Sequence, residues 1–427
     1  MPKEGWQRGL KYAKRILSYL FINSYVARII REYGSACHQM RVLFIAYGYK
    51  RQGKSESLTA YHLAHTIRDY GHTIKVLTGS PIEAPEGTQL ETRFWLTSSE
   101  GARKLKLDYF EFIARAYLLA RRLRGSYDLI HHISPISLRY PNPLGNLGVP
   151  FIWGPVGGSI DYPPGFETIS KREPFAQRLR RFDRVRLSLD PMMLNTMKQA
   201  TRIITTTNAA RNVLPERYRS KSVVIPEGIA LKSPPTDATT TTDDYIFCSA
   251  RLVTYKAVDL LVRAYAQCQP KETMLWISGI GPEREHLETL IKDLNLQQRI
   301  KLVGKIIRSE NMRLMAGARF CVFPALHEAF GQVNLEAMMV GKPVIVTDWG
   351  GPADIVEDGV TGFKVLGRNP DEHVELLAQR MSHLLRDPSL CRTMGKQARE
   401  HVLRAYSWEA IGRRHTEQYR LLLDNRT

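Results

Sequence analysis

The first stretch whose residue types could perform chemistry lies near the amino terminus. Gly48, Gly53, Lys54 and Ser55 match the pattern G-x-x-x-x-G-K-[ST]. In that pattern, backbone N–H groups and the lysine bind nucleotide phosphates. The apolar run "RVLFIAY" precedes it and the helix-like "SLTAYHLAHTIRDYG" follows it, so the context fits a strand, a loop and a helix. The stretch therefore predicts a P-loop NTPase or kinase that uses residues 48–55, or a similar loop with another role.

A second stretch, "PALHEAFGQVNLEAMMVGKPVIVTDWGGPADIVEDGVTGF", places two carboxylates around the start of a helix. The helix begins after Gly331, so the N–H groups of Gly331, Gln332 and Val333 are free for an anion. Glu328 lies in the preceding loop and Glu336 lies one turn inside the helix. Such glutamates are most often a solvated loop residue and part of a polar helix face.

This stretch resembles the E-x7-E signature of retaining glycosyltransferase family 4. "ARLVTYKAVDLLVRAYA", "ISGIGPEREHLETL", "YDLIHHIS", "PFIWGPVGG" and "IPEGI" follow the same family in order, and the resemblance covers residues 40–406. It implies the GT-B fold: two Rossmann-like, doubly wound α/β domains that face a central cleft. The helical spacing of the final segment predicts a C-terminal helix. The resemblance also implies that Arg251 and Lys256 bind the donor diphosphate, that Glu336 binds the ribose hydroxyls, and that Glu328 binds a hydroxyl of the donor sugar.

The implied chemistry agrees with these residue types. Transfer of a sugar requires stabilisation of the departing diphosphate, which an arginine, a lysine and a helix N-terminus can provide. The chain has no D-x-D pair to hold a divalent ion, so we expect no metal and no other cofactor. The resemblance implies retention by front-face attack, and we assign no covalent nucleophile.

On the acceptor side, the resemblance implies an active-site histidine near "DLIHHIS". His131 and His132 alternate along a strand, so only one can face the cleft. We favour His132 as that catalytic histidine, with His131 satisfied in the core, although either of the two could be the catalytic residue. Gly157 and Gly158 would let the backbone approach a ligand closely, although a plain turn also explains them.

The resemblance also reinterprets the opening loop. Family members often have G-G-S-E there, whereas this chain has Gly53, Lys54, Ser55 and Glu56. Lys54 alone creates the P-loop pattern, and the apolar strands of the first half do not end in the aspartate that such a loop requires for Mg²⁺. We therefore expect Gly53 beside the donor, and Lys54 either in the cleft near a phosphate or acceptor, or in solvent.

Apolar runs alternate with helix-like segments along the chain, as in parallel sheets. A Pro- and Thr-rich stretch, "LKSPPTDATTTTDD", interrupts the alternation once. The predicted organisation is an amphipathic extension (1–40), an acceptor-side domain (41–230), a linker (231–244), a nucleotide-sugar domain (245–405) and a C-terminal helix (406–427).

The charge is unevenly distributed. Residues 1–230 have 35 Lys and Arg against 18 Asp and Glu, a net +17 of the total +19. This asymmetry indicates a polyanionic partner for the first half, such as a membrane or a phosphate-bearing substrate, or simply a solubilising excess. Arg178, Arg181 and Arg184 recur at helical spacing and face either an anionic acceptor or membrane, or solvent.

Size and cysteine usage exclude several classes. The 427 residues exceed one ordinary core, and five scattered cysteines form neither a metal motif nor a disulfide framework. No uninterrupted apolar run approaches the roughly 18 residues of a membrane span. The basic amphipathic segment near residues 8–31 fits an anionic bilayer surface or packing on the protein itself. We expect a cytoplasmic protein, peripheral on the inner face of the plasma membrane.

The sequence thus predicts a retaining, metal-independent glycosyltransferase. It would move a hexose from UDP- or GDP-hexose to a glycan or lipid-linked glycan, in surface polysaccharide or lipopolysaccharide biosynthesis. The alternatives are the P-loop enzyme, a basic nucleic-acid-binding protein, and another GT-B enzyme such as a sugar-nucleotide epimerase. A nucleic-acid-binding protein would not require the ordered motifs of the second half, so we expect no nucleic acid partner.

Overall fold

The computed structural model describes residues 39–49, 55–79, 89–91, 107–173, 178, 182–229 and 244–424. The predicted amphipathic extension up to residue 38, nearly all of the predicted linker, and the candidate residues Gly53, Lys54 and Arg181 lie outside these ranges. No helix in the described ranges is long and apolar enough to cross a membrane.

The first domain contains a parallel sheet in the order β3-β2-β1-β4-β5-β6-β7. Its strands are built from short apolar runs, and every residue of the two central strands β4 and β5 is buried, as a sheet covered on both faces requires. The strands are β1 (Arg41–Ala46), β2 (Thr73–Thr78), β3 (Gln89–Glu91), β4 (Leu129–Ser134), β5 (Phe151–Val156), β6 (Arg202–Thr205) and β7 (Ser222–Val224).

The second domain contains another parallel sheet, in the order β10-β9-β8-β11-β12-β13. Both sheets are doubly wound, because the strand order runs outward in both directions from a central pair. The strands are β8 (Tyr245–Ser249), β9 (Met274–Ser278), β10 (Ile300–Gly304), β11 (Cys321–Phe323), β12 (Val344–Thr347) and β13 (Gly362–Val365). The predicted fold class, α/β with two Rossmann-like domains, is confirmed.

Helices connect the strands and cover both faces of each sheet. Those before residue 230 are α1 (Ser55–Asp69), α2 (Leu107–Arg122), α3 (Glu167–Lys171), α4 (Asp183–Leu189), α5 (Pro191–Gln199), α6 (Asn208–Val213) and α7 (Glu216–Arg219). Those after it are α8 (Val258–Cys268), α9 (Arg284–Asp293), α10 (Arg308–Gly317), α11 (Gln332–Met339), α12 (Gly351–Ile355), α13 (Pro370–Arg386), α14 (Pro388–Ala405) and α15 (Trp408–Asp424).

Local sequence sets several helix starts. Asp190 accepts hydrogen bonds from the N–H groups of Met192 and Met193 and so caps α5. Asn369 and Asp387 cap α13 and α14 in the same way. Each of these caps precedes a proline, whose fixed φ favours the first helical position.

The C-terminal helix α15 returns to the first domain and packs against α1. The Tyr70 hydroxyl donates to the Glu409 carbonyl at 3.1 Å. The rings of His62 and Trp408 stack with their centroids 5.3 Å apart. This crossing joins the two domains through a helix as well as through the linker.

Polar contacts also join the domains on the cleft side. The backbone N–H and side-chain amide of Asn208 donate to Asp354 at 2.6 and 3.1 Å. The Trp349 indole N–H donates to the Asp161 carbonyl at 2.7 Å. Arg172 of the first domain also forms ion pairs with two carboxylates of the second domain. The described state is therefore one in which the domains touch.

Candidate functional site

A cleft of about 690 Å³ lies where the carboxyl ends of the two sheets face each other. Its walls come from loops that follow β1, β4, β5, β6, β7 and β11, together with the first turns of α1, α2 and α11. The lining residues are Tyr47, Glu56, Asp108, Tyr109, Pro135, Ile136, Ser137, Arg139, Tyr140, Gly157, Gly158, Ser159, Thr206, Glu227, His327, Glu328, Ala329, Phe330, Gly331 and Gln332. The cleft therefore collects predicted residues from both halves of the chain.

Glu328 and Lys256 meet in the second domain. Glu328 lies in the loop between β11 and α11, and Lys256 ends a short 3-10 helix at Thr254–Lys256 after β8. The Lys256 ammonium forms an ion pair with the Glu328 carboxylate, and both side chains are largely buried, at 15% and 20% exposure. The ion pair thus places a cation and a carboxylate together at the cleft wall.

The amino terminus of α11 opens onto the cleft. Gly331 adopts φ = +101°, which glycine tolerates and other residues rarely do. The first amides of a helix have no acceptor within it, so those of Gln332 and Val333 are available to a ligand. The Gln332 side chain donates to the Gly228 carbonyl of the first domain at 3.3 Å, and this bond ties the helix start to the opposite wall.

Close backbone packing holds the Glu328 loop in place. A Cβ atom on Gly350 or Gly351 would collide with the carbonyl of Glu328 or Phe330, respectively. The Gly351 N–H donates to the Glu328 carbonyl at 2.9 Å. The glycine pair that follows β12 is therefore required for this loop to approach α12.

Arg251 and Glu336 lie beside the cleft rather than in its wall. The Arg251 guanidinium is exposed and donates to the Tyr255 hydroxyl. Glu336 lies one turn inside α11, and its carboxylate accepts from Arg308 at 2.7 Å. Burial raises the pKa of Glu336, and Arg308 acts in the opposite direction. The donor-binding roles of both residues stay predictions.

The two histidines of β4 are buried. Both ring nitrogens of His131 are engaged, by the Tyr419 hydroxyl at 2.6 Å and the Gly154 carbonyl at 2.7 Å. His132 lies on the opposite face, 3.3 Å from the Asn142 amide. Burial lowers the pKa of each imidazole to about 3. Neither histidine is among the residues that line the cleft. Both lie inside β4, which continues to Ser134.

The acceptor-side glycines lie where a ligand can reach them. Gly157 and Gly158 line the cleft just after β5, and Gly158 has φ = +85°. Gly53 and Lys54 are outside the described residues, so their predicted places beside the donor and in the cleft stay predictions. Gly48 is described, and its N–H lies 3.4 Å from the Ser134 hydroxyl.

Sequence reasoning missed an aromatic and charged wall of the first domain. The rings of Tyr109 and Tyr140 lie 4.7 Å apart, and the Tyr47 hydroxyl donates to Asp108. Arg139 completes this wall. These residues come from three separate segments with no shared motif, so no local signal could have grouped them.

A second missed residue, Glu227, lies in the cleft in the stretch "IPEGI". It is 8% exposed, and the Thr59 hydroxyl donates to its carboxylate at 2.9 Å. Burial raises the pKa of Glu227 to about 7, Thr59 lowers it, and the nearby Glu56 and Glu328 raise it. No lysine or arginine is among the groups that shift this pKa in the part of the chain that the structure describes.

Replacement of Glu227 by glutamine should make stability less sensitive to pH. The pKa in the folded state lies above the ordinary value of 4.5, so the wild-type protein loses stability as pH rises from about 4.5 to about 7. Above pH 7, this loss amounts to about 3 kcal/mol in the free energy of unfolding of the wild-type protein, and the variant does not undergo it. Urea unfolding of both proteins at pH 5 and pH 8 measures it.

The control for this experiment is Glu310→Gln, which removes an exposed glutamate paired with Arg313 at 2.6 Å. That pair lowers the pKa of Glu310, so the variant should not gain stability at high pH. An equal effect of pH on wild type and Glu227→Gln would contradict the buried-carboxylate assignment.

Two family models match consecutive parts of the chain. The model described as "Glycosyltransferase Family 4" matches residues 57–233, and the one described as "Glycosyl transferases group 1" matches residues 233–401. Their junction at residue 233 coincides with the change from the first sheet to the second. Together they span nearly all of the described fold.

Curated relatives match part of the chain. An uncharacterised glycosyltransferase of Methanocaldococcus jannaschii is 29% identical over 41% of this chain and 44% of its own length. A GDP-mannose-dependent monoacylated alpha-(1-6)-phosphatidylinositol monomannoside mannosyltransferase of Corynebacterium glutamicum is 33% identical over 42% and 47%. A sucrose synthase of Melioribacter roseus is 31% identical over 40% and 24%. The matches thus span less than half of each of these relatives.

Solved structures match over almost the whole chain. A glycosyltransferase of Rickettsia africae has a TM-score of 0.64 and 19% identity, and the match covers 91% of this chain and all of that one. Anabaena HepE, solved in complex with UDP-glucose, has a TM-score of 0.56 and 18% identity, with 89% and 99% covered. At these identities the similarity establishes the GT-B fold.

Proposed function

Since this chain belongs to the group 1 glycosyltransferases of family 4, we propose that it transfers a hexose from a nucleotide-sugar donor to a glycan or lipid-linked glycan. The observation that carries the proposal is the cluster at the cleft: the amino terminus of α11, the Glu328 carboxylate and the Lys256 ammonium. A nucleoside diphosphate-sugar presents complementary groups, namely two phosphates and a ring of hydroxyls. The donor in this proposal is a UDP- or GDP-hexose.

In this mechanism the donor diphosphate lies between Lys256, Arg251 and the amides of Gln332 and Val333. These groups stabilise the negative charge that grows as the bond between the anomeric carbon and the phosphate breaks. Glu328, ion-paired with Lys256, accepts a hydrogen bond from a sugar hydroxyl and fixes the orientation of the ring. Protein cations and a helix terminus supply the electrostatic stabilisation, so the proposed reaction is independent of a metal.

The acceptor enters from the wall of the first domain. Tyrosine rings suit the apolar faces of sugars, while Asp108 and Arg139 offer polar partners for hydroxyls. The acceptor hydroxyl attacks the anomeric carbon on the face that the diphosphate leaves, which retains the configuration, and the departing phosphate oxygen takes its proton. Such a reaction would serve surface polysaccharide or lipopolysaccharide assembly at the inner face of the plasma membrane.

The P-loop alternative is less well supported. It requires residues 48–55 to hold phosphates, whereas the charged and amide groups described above belong to the second domain. A sugar-nucleotide epimerase would share the fold and the donor site, so it is distinguished by its product.

A panel of nucleotides tests the proposal. The full chain should gain a few degrees in Tm with saturating UDP or GDP, or with one of their hexose derivatives, in the presence of EDTA. A shift with ATP and Mg²⁺ alone would contradict it and favour the P-loop enzyme. Chromatography of products then separates transfer, which releases the nucleoside diphosphate, from epimerisation, which does not.

A further inference from the structure

One buried carboxyl group of the cleft wall has no role in the reaction proposed above. Glu227 lines the cleft and is 8% exposed, in the segment that leads from β7 towards the second domain. Thr59 of α1 donates a hydrogen bond to its Oε2 atom at 2.9 Å. A glutamate so far removed from water is rare unless it is paired with another group.

The backbone on both sides of Glu227 is held by neighbouring elements. The Ile225 N–H donates to the Thr205 carbonyl at the end of β6, at 2.9 Å. The Ile229 N–H donates to the Tyr406 carbonyl between α14 and α15, also at 2.9 Å. The position of Glu227 is therefore set by the fold rather than by an ionic contact of its own side chain.

The same segment touches the proposed phosphate site. The carbonyl of the next residue, Gly228, accepts a hydrogen bond from the Gln332 side chain at 3.3 Å. Gln332 is the first residue of α11, whose first amides we place on the diphosphate of the nucleotide-hexose. A diphosphate bound there has Glu227 as a neighbour on the side of the first domain.

The charges around Glu227 oppose its ionisation. Burial raises the pKa of Glu227 to about 7, Thr59 lowers it, and the carboxylates of Glu56 and Glu328 raise it. Lys256 forms its ion pair with Glu328. The charged or titratable side chains that line the cleft with Glu227 are Glu56, Asp108, Arg139, His327 and Glu328. An ionised Glu227 would add a negative charge beside the incoming diphosphate.

We propose that Glu227 is a further residue of the nucleotide-hexose site and that it binds the diphosphate as a neutral carboxylic acid. This inference rests on the proposed function. Thr59 donates to Oε2, so the acid proton lies on Oε1, which donates it in a hydrogen bond to a phosphate oxygen. A neutral acid thus adds a hydrogen bond to the diphosphate without adding a negative charge.

Binding of the nucleotide-hexose should then take up a proton at alkaline pH. With a pKa of about 7 in the free protein, roughly one molecule in ten has a neutral Glu227 at pH 8. The affinity should fall by this fraction, about tenfold between pH 6 and pH 8, and about one proton should be taken up per ligand bound at pH 8. The diphosphate of a nucleotide-hexose keeps the same charge over this range, so it does not contribute.

Calorimetric titration of the full chain with UDP-glucose and with GDP-mannose tests this proposal. Each titration is carried out at pH 6 and pH 8, in two buffers of different ionisation enthalpy, which gives the number of protons taken up. The wild type should show the tenfold fall and the proton uptake with the ligand that it binds. Glu227→Gln should show neither, and should bind about tenfold more tightly than the wild type at pH 8, because its amide is neutral and donates hydrogen bonds.

Glu227→Leu separates the hydrogen bond from the charge. Leucine is neutral but cannot donate, so this variant should bind about fivefold more weakly than Glu227→Gln at both pH values. The matched control is Glu310→Gln, which removes an exposed glutamate paired with Arg313 at 2.6 Å in the second domain. It should keep the proton uptake of the wild type, and thermal unfolding of each variant verifies folding.

Four outcomes would overturn the proposal. Proton uptake that survives in Glu227→Gln would assign the titration to another group. Wild-type affinity that is equal at pH 6 and pH 8 would show an ionised Glu227, as in an ion pair with Lys54, which lies outside the described residues. Equal affinities of the leucine and glutamine variants would exclude the hydrogen bond to the phosphate. A wild type that binds neither ligand at pH 6 would overturn the proposed function and this inference with it.

Discussion

Replacement of Lys256 by methionine should lower kcat/KM for the donor by about 100- to 1,000-fold. The variant removes a cation that we place on the departing diphosphate. It also leaves the partly buried Glu328 carboxylate without its ion pair, close to an incoming dianion. Both effects lower kcat/KM. The decrease should therefore be larger than the decrease caused by removing a cation from the protein surface.

A double variant separates these two effects. Lys256→Met combined with Glu328→Gln removes both charges, so it should recover the stability that the single variant loses. It should not recover activity if Lys256 stabilises the diphosphate. Full recovery of kcat/KM in the double variant would show instead that Lys256 serves only to neutralise Glu328.

The matched control is Arg319→Gln, which breaks another ion pair of the second domain. Arg319 binds Asp244 at 2.9 Å, at the amino ends of β8 and β11. Lys256 and Glu328 follow the carboxyl ends of the same two strands. A similar loss of kcat/KM in the control would attribute the Lys256 effect to domain stability rather than to the site.

The alternation of apolar runs with helix-like segments predicted parallel sheets, and the structure has two of them. No strand was predicted at β3 or β13, each of which is one of the two edge strands of its sheet. β3 has three residues, and the sequence "QLE" lacks the apolar run of a buried strand. β13 begins with Gly362 and contains Lys364, which an edge strand tolerates and a central one would not.

The candidate site was predictable only where its residues share a local motif. Glu328, Gly331 and Glu336 belong to one loop and helix, so their spacing alone places them near each other. The bonds from Lys256 to Glu328 and from Thr59 to Glu227 join residues 72 and 168 positions apart. Parallel topology brings these segments together at the carboxyl ends of strands, and only the assembled sheets determine which side chains meet.

Strand length explains the placement of the histidines. The pattern "DLIHHIS" was interpreted as a strand that ends at His131 and His132, which would expose one of them to the cleft. Two further residues continue β4, so both rings are buried, and His131 is satisfied in the core by Tyr419 of α15, as the alternation along the strand allowed. Strand boundaries depend on pairing with neighbours, here β1 and β5, and no sequence signal marks them to within one residue.

Replacement of Glu336 by alanine should weaken donor binding by about 100-fold or more while the protein stays folded. In our proposal its carboxylate accepts hydrogen bonds from the ribose hydroxyls, and two charged bonds of this kind contribute roughly 3 kcal/mol or more. The decrease in the free energy of unfolding should be small. Arg308 is 47% exposed, so water can solvate it once its partner is removed. Calorimetric titration with the nucleotide that stabilises the wild type measures the affinity.

Glu310→Ala is the matched control for Glu336→Ala, since it removes the carboxylate of another arginine pair in the same domain. It should leave nucleotide affinity unchanged. Arg308→Gln adds a sharper distinction, because it frees Glu336 without removing it. Donor affinity that survives Arg308→Gln but not Glu336→Ala would assign the binding to the carboxylate itself. Unchanged affinity in Glu336→Ala would refute the ribose contact and move the nucleotide elsewhere in the cleft.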